Sequence, residues 1–271
     1  QTNAWHNQAT GFFFTKTSVA NSLNAHLATG RIMYVTKKNR FEHAWTVGVV
    51  AVMGVANLGL WFDAPVFEAI LQGLQFDRAA ILNGEFWRLV TGNLVHWSVE
   101  HCLLDVVAFA LLGWLYEPAF RRNNQKHSRR QRQLWSLPVM LLVTSCGVGL
   151  TVLVLQPEMM IYRGLSGVDS GLFAIALMFE CSEAKNDGAR WWYVVPAALV
   201  FVVKLGFEVT TGGMFFGTES LGDLGQPVPL AHLSGAVFAS ACFIARMITK
   251  PKCLTTMSPQ YVTQSQSIVT S

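Results

Sequence analysis

The chain has 271 residues, of which 52% are hydrophobic and only 13% charged, with a formal net charge of +4 and a mean hydropathy of +0.35. A water-soluble domain of this size carries about a quarter of its residues charged, so the composition excludes an ordinary soluble protein. The net charge says little by itself; where the cations fall says more.

Residues 1–43 are polar apart from Phe12–Phe14, a run too short for the apolar region of a signal peptide. This segment is expected to be a mobile cytoplasmic extension without a cleavable signal. Six apolar blocks follow, each of a length that can cross about 30 Å of hydrocarbon at 1.5 Å rise per residue. They are Ala44–Phe62, Leu89–Tyr116, Leu134–Leu155, Gly164–Cys181, Trp191–Phe207 and Val228–Ile248. The economical architecture is a single all-α membrane domain over residues 44–248, a six-transmembrane-helix bundle, followed by a cytoplasmic tail at 249–271. From Leu254 onward that tail has no apolar period and reads as disordered.

Orientation follows from the cations. Sixteen of the twenty Lys and Arg lie before the first block, within 121–132, at Lys185 and Arg190, or at Arg246, Lys250 and Lys252. Arg78, Arg88 and Arg163 fall on the other side and Lys204 within a block. The positive-inside rule then places both termini in the cytoplasm. The basic run Arg121–Arg132 resembles a nucleic-acid patch. In a short loop between spans it reads instead as a topology determinant against anionic lipid, so the bilayer and not nucleic acid is the expected partner. Cys102, Cys146, Cys181, Cys242 and Cys253 form neither a disulfide framework nor a metal-ligand spacing. No metal and no cofactor is implied.

Ionisable groups within spans are costly and so mark candidate sites. The second block carries His96, Glu100, His101 and Asp105, the fourth Ser166 and Asp169, the fifth Lys204 and Glu208, and the sixth His232. All but Lys204 fall near one face of the membrane. In Gly164-Leu165-Ser166-Gly167 the glycines permit a tight bend and close approach to the serine hydroxyl, and the helix start offers positive potential to an oxyanion. Small residues around a serine are equally a helix-packing device. His232, in Ala231-His232-Leu233-Ser234-Gly235, supplies what a serine nucleophile needs, a neutral base, and Gly235 would let two helices approach. A structural histidine bonding a carbonyl is the bland alternative. His101 and Asp105, four apart, share a helix face. His101 can donate to an oxyanion; Asp105 can do so only when protonated. Pairing of Asp105 with His101 is the favoured arrangement. Lys204 and Glu208, also four apart, read as a buried ion pair rather than as direct participants in chemistry.

Taken together, these motifs resemble the rhomboid family of intramembrane serine proteases over residues 44–248. The pattern comprises Trp87-Arg88, His96, His101 and a polar residue at 105, Gly113 with Glu117, Gly-Leu-Ser-Gly at 164–167 and Ala-His-x-x-Gly at 231–235. The resemblance implies a rhomboid-like fold and a Ser166–His232 dyad with no third acidic member. It also implies oxyanion support from the Ser166 backbone N–H and His101, with Leu165, Gly167, His96 and position 105 around them. Asp105 stands where the family usually has asparagine, and Val168-Asp169-Ser170 also departs from its pattern. Tyr162–Gly167, Gly84–Gly92 and Lys204-Leu-Gly-Phe-Glu208 are similar to the rhombosortase branch. That implies a bacterial inner-membrane enzyme whose substrate is a transmembrane or C-terminally anchored protein, cut at a sorting segment made of a Gly-rich stretch, one helix and a basic end. An inactive relative acting in binding or trafficking is the alternative. A transporter using Lys204, Glu208 and Asp169 as a relay would show internal repeats, which the halves lack, and a zinc protease would need a second histidine after Glu100-His101.

Overall fold

The computed structural model describes residues 42–124, 136–215 and 228–249. Most of the N-terminal segment, most of the basic run, the glycine-rich stretch before the last helix, the tail and Cys253 lie outside the described residues.

Helix α1 (Ala44–Ala56) stops at Asn57, whose side-chain amide donates to the Met53 and Leu94 carbonyls at 2.8 Å each. The Met53 carbonyl also accepts from the Asn57 backbone N–H at 3.0 Å. At 13 residues this helix is about 20 Å long, shorter than the expected Ala44–Phe62 span. A second, unanticipated helix α2 (Pro65–Leu74) opens on proline, which fits the first turn because its missing N–H has no helical partner there.

Phe76–Asp77 (β1) pairs antiparallel with Ile161–Tyr162 (β2), a two-residue ribbon absent from the all-α expectation. Helix α3 (Arg78–Leu82) is capped by the Asp77 carboxylate. Arg78 then reaches the carbonyls of Val152, Leu153, Gln156 and Met159 at 2.7–3.1 Å.

The expected second span is corrected at its start. Residues from Leu89 do not join a transmembrane helix: α4 (Arg88–Thr91) and a 3₁₀ turn (Gly92–Leu94) come first, and the long helix α5 runs Val99–Asn124. The Asn93 amide donates to Leu89 and Val90 carbonyls, the local competition that breaks helices. Gly92 lies so close to Phe76 that a Cβ would come within 2.7 Å of its backbone nitrogen. Arg88 organises this short-helix segment through Glu85, Gln72 O and Gln75 O.

The remaining helices match the other blocks with shifted ends: α6 (Leu137–Leu155), α7 (Ser166–Ala184), α8 (Trp191–Thr211) and α9 (Pro229–Ile248). Among the described residues, four helical segments are long and apolar enough to cross a membrane: Val99–Arg121, Leu137–Leu155, Gly188–Thr211 and Pro229–Ile248. Helix α7 has the length, with 19 residues, but carries Asp169, Glu180 and Glu183. The chain is therefore a mostly helical, multi-pass membrane protein. Large apolar side chains exposed on the outer helices, among them Leu111, Trp114 and Leu115 on α5 and Leu199 and Val202 on α8, form a surface suited to lipid and not to water.

Helix α7 is the centre, packed by α5, α6, α8 and α9. Phe109, Phe120, Met140, Val168, Ile175, Phe179 and Phe243 form the main core. Glu117 docks α1 by accepting from the Trp45 and Thr46 N–H groups and the Thr46 hydroxyl, while also pairing with Arg121 at 2.7 Å. Gly113 admits Thr46 at the same crossing.

The tightest crossing joins α7 to α9. A Cβ on Gly235 would collide with the Gly167 carbonyl, one on Gly167 would come within 2.8 Å of the Ala231 carbonyl, and one on Gly171 within 2.8 Å of the Gly235 carbonyl. Membrane helices lack a hydrophobic drive to associate, so such close backbone packing carries the contact. Gly235→Ala is expected to force these helices apart, with a loss of about 1–3 kcal/mol. Thermal unfolding in detergent measures it; an unchanged midpoint would show that the crossing tolerates a methyl.

Candidate active site

Ser166 is the first residue of α7, and the turn before it is fixed from three sides. Gly164 has φ +137°, a conformation side chains rarely adopt, and a Cβ there would meet the His101 ring at 2.9 Å. Its N–H donates to the Gly92 carbonyl, and its own carbonyl accepts from the buried Tyr162 hydroxyl at 2.9 Å. The Leu165 N–H donates to Asp105 Oδ2 at 2.8 Å.

His232 sits in the first turn of α9, 4% exposed. Its Nε2 lies 2.9 Å from Ser166 Oγ. The approach of α7 to α9 through Gly167 and Gly235 makes this distance possible.

The other ring nitrogen of His232, Nδ1, lies 2.8 Å from Glu208 Oε2. The same oxygen accepts from Lys204 Nζ at 2.7 Å, and Oε1 accepts from the Phe215 N–H at 3.3 Å. That N–H is brought back by a left-handed turn at Gly212, which ends α8. The expected Lys204–Glu208 ion pair is present, but its carboxylate also engages the histidine. The resemblance implied no third acidic member, and sequence reasoning missed this contact. The available signal was the cost of burying Glu208, 1% exposed; nothing in the spacing pointed it at residue 232.

A second cluster lies on the other side of Ser166. Besides the Leu165 N–H, Asp105 Oδ2 has His96 Nε2 at 3.1 Å and His101 Nε2 at 3.5 Å. The expected pairing with His101 is there, but His96 is the nearer partner, and His96 lies in the loop before α5 rather than within a span. Its backbone N–H donates to Asn57 Oδ1 at 2.8 Å, tying it to the end of α1. Burial lowers the His96 pKa, an effect Asp105 opposes, so the ring is neutral near pH 7. The His96 and His101 rings meet edge to face at 5.0 Å. Glu100 is exposed and does not join the cluster.

Asp169, one turn beyond Ser166, is 7% exposed, and neither carboxyl oxygen has a hydrogen-bond partner among the described residues. It borders a cavity of about 600 Å³ shared with Ser166, Asp105, Lys204 and His232. The cavity runs down between α5 and α8, where Leu104, Ala108, Ala197, Val200 and Phe201 make its walls apolar. A hydroxyl, an imidazole and a carboxylate in hydrogen-bonded series at the head of an apolar slot can perform acyl transfer on a lipid-borne chain.

Residues 83–248, more than half of the chain, match the model of the Rhomboid domain. Over 156 residues the chain is 24% identical to a Bacillus subtilis (strain 168) protein described as "Putative rhomboid protease YdcA", covering 56% of this chain and 71% of that one. The chain belongs to the rhomboid family, the family of intramembrane serine proteases.

Proposed function

We propose that this protein is an active intramembrane serine endopeptidase in which Ser166 is the nucleophile and His232 its base. The observation that carries the reading is the 2.9 Å contact between Ser166 Oγ and His232 Nε2, within the range a proton transfer needs.

His232 takes the Ser166 proton as Oγ attacks the scissile carbonyl, giving a tetrahedral oxyanion. The Ser166 N–H, at the positive end of α7, and the His101 side chain stabilise that charge. His232 returns the proton to the leaving amine, and an acyl-enzyme remains. Water, deprotonated by the same imidazole, releases it. Asp105 accepts from the Leu165 N–H and flanks His96 and His101, so it serves as an acceptor that fixes the loop, not as an oxyanion donor.

The substrate enters from the bilayer between α5 and α8, because the slot there is apolar along its walls and polar only at its head. Proline within a helix removes an N–H and bends the axis; Pro196 in α8 stands on the wall of this slot. The substrate class is a membrane-anchored protein with a C-terminal sorting segment, a Gly-rich stretch followed by one helix and a basic end; similarity to the rhombosortase branch supports it. The bundle crosses the inner membrane six times, with α1 and α7 completing the count and both termini cytoplasmic.

Ser166→Ala and His232→Ala are each expected to abolish cleavage of a reporter carrying such a segment, and the double variant to be no worse than either, since the two act as a unit. Purified Ser166→Ala retaining more than about a few per cent of activity, against the ~10⁶-fold loss that removal of a serine nucleophile brings, would rule the mechanism out. A reporter without the Gly-rich stretch tests the sorting-segment reading separately.

Accessibility tags within 63–84 are expected to report the face opposite to tags within 121–132. The same side for both would contradict the six-crossing arrangement.

Asp105→Asn keeps an acceptor for the Leu165 N–H but replaces the carboxylate beside His96 and His101 with a neutral amide. The variant is expected to keep the fold, lose activity modestly and shift its pH optimum. Superimposable pH–rate profiles for variant and wild type would make Asp105 a bystander.

A further inference from the structure

We infer that Glu208 is a positioning residue for His232, so that the reacting unit is Ser166–His232–Glu208 with Lys204 fixing its far end. The inference rests on the proposed serine mechanism and extends it.

The geometry gives each member a defined task. An ionised carboxylate can only accept, so the 2.8 Å contact of Glu208 Oε2 with His232 Nδ1 requires the ring proton to be on Nδ1. Nε2 is then unprotonated and faces Ser166 Oγ at 2.9 Å, the one tautomer in which the ring can accept the hydroxyl proton. When that proton arrives the imidazole becomes a cation, and the carboxylate is already in place to stabilise it without taking a proton itself.

Burying a lone carboxylate at 1% exposure would be costly, and it would be protonated rather than charged. Lys204 at 2.7 Å and the Phe215 N–H at 3.3 Å offset that cost and keep Glu208 an acceptor. Lys204 Nζ also lies 3.4 Å from His232 Nδ1, where its charge opposes the imidazolium. Glu208 and Lys204 thus set opposite charges against the same ring nitrogen. Other ionisable groups nearby are Asp169 on α7 and Asp105 on α5, both bordering the same cavity. Neither bonds the ring, and both remain in every variant below.

An ion pair that merely locked α8 would give the same defect whichever partner were removed. A positioning role gives opposite pH effects. The test uses the full-length protein in detergent or proteoliposomes with one peptide substrate, recording kcat and KM against pH. Glu208→Gln is expected to lower kcat about a hundredfold or more, as loss of the carboxylate does in other triads, with KM nearly unchanged and the acid limb moved to lower pH. Lys204→Met is expected to move the acid limb to higher pH. Glu208→Asp, which keeps the charge, is expected to recover part of the lost kcat and to return the limb toward wild type.

An acid limb that stays in place in both Glu208→Gln and Lys204→Met, while Ser166→Ala is inactive, overturns this inference and leaves the serine mechanism standing. If Glu208→Gln does not fold, an unmoved limb in Lys204→Met is sufficient to overturn it. Activity retained by Ser166→Ala would instead remove the mechanism on which it rests.

Discussion

Two helices that must touch backbone to backbone govern the rest of this structure. Along α7, Gly167 and Gly171 are one turn apart, and along α9, Ala231, Gly235 and Ala239 repeat at the same interval. Their carbonyls and absent side chains interlock. In a bilayer there is no water to expel from between helices, so van der Waals contact at this distance is what makes the crossing favourable. Ser166 and His232 stand at the N-terminal ends of the same two helices. Their separation is therefore set by glycine and not by either side chain's own reach.

Around that crossing the polar groups divide into two chains of contacts that meet at Ser166. One passes from Lys204 through Glu208 and His232 to the hydroxyl. The other passes from Asn57 through His96 and Asp105 to the Leu165 N–H, and so to the backbone from which α7 starts. The charged groups in these two chains are joined to one another, as a low-dielectric interior requires; among the described residues Asp169, beside the cavity, has no hydrogen-bond partner for its carboxylate, and the buried Arg246 on α9 meets only Phe120. The division gives the site two separate sets of contacts, one reaching the His232 ring and one reaching the backbone that precedes Ser166. The apolar slot between α5 and α8 leads into the point where they join.

Much of this was legible in the sequence. The membrane class, the helices from Val99 onward and the pairing of a serine motif with a histidine motif all follow from residues that are costly to place in lipid, or from glycines with no reason to be there except close approach. The short-helix segment before α5 was not legible. Leu89, Val90, Leu94 and Val95 read as a continuing span, and only the side-chain bonds of Asn57 and Asn93, made to backbone far away or one turn back, stop the helix. The Glu208–His232 contact was hidden for another reason. Period and spacing place Lys204 and Glu208 on one face of α8, but the rotation of that face toward α9 depends on packing among all the helices. The nearer partner of Asp105, His96, was missed because a helical register does not reach into the loop before α5.

The central claim is that Ser166 is made nucleophilic by His232. Its most direct measurement is covalent labelling of the purified, folded protein with a serine-directed fluorophosphonate, followed by peptide mapping. The account predicts a single modified peptide containing Ser166, with labelling lost in His232→Ala while the protein stays folded. Modification at another serine, or equal labelling in the presence and absence of His232, would contradict it.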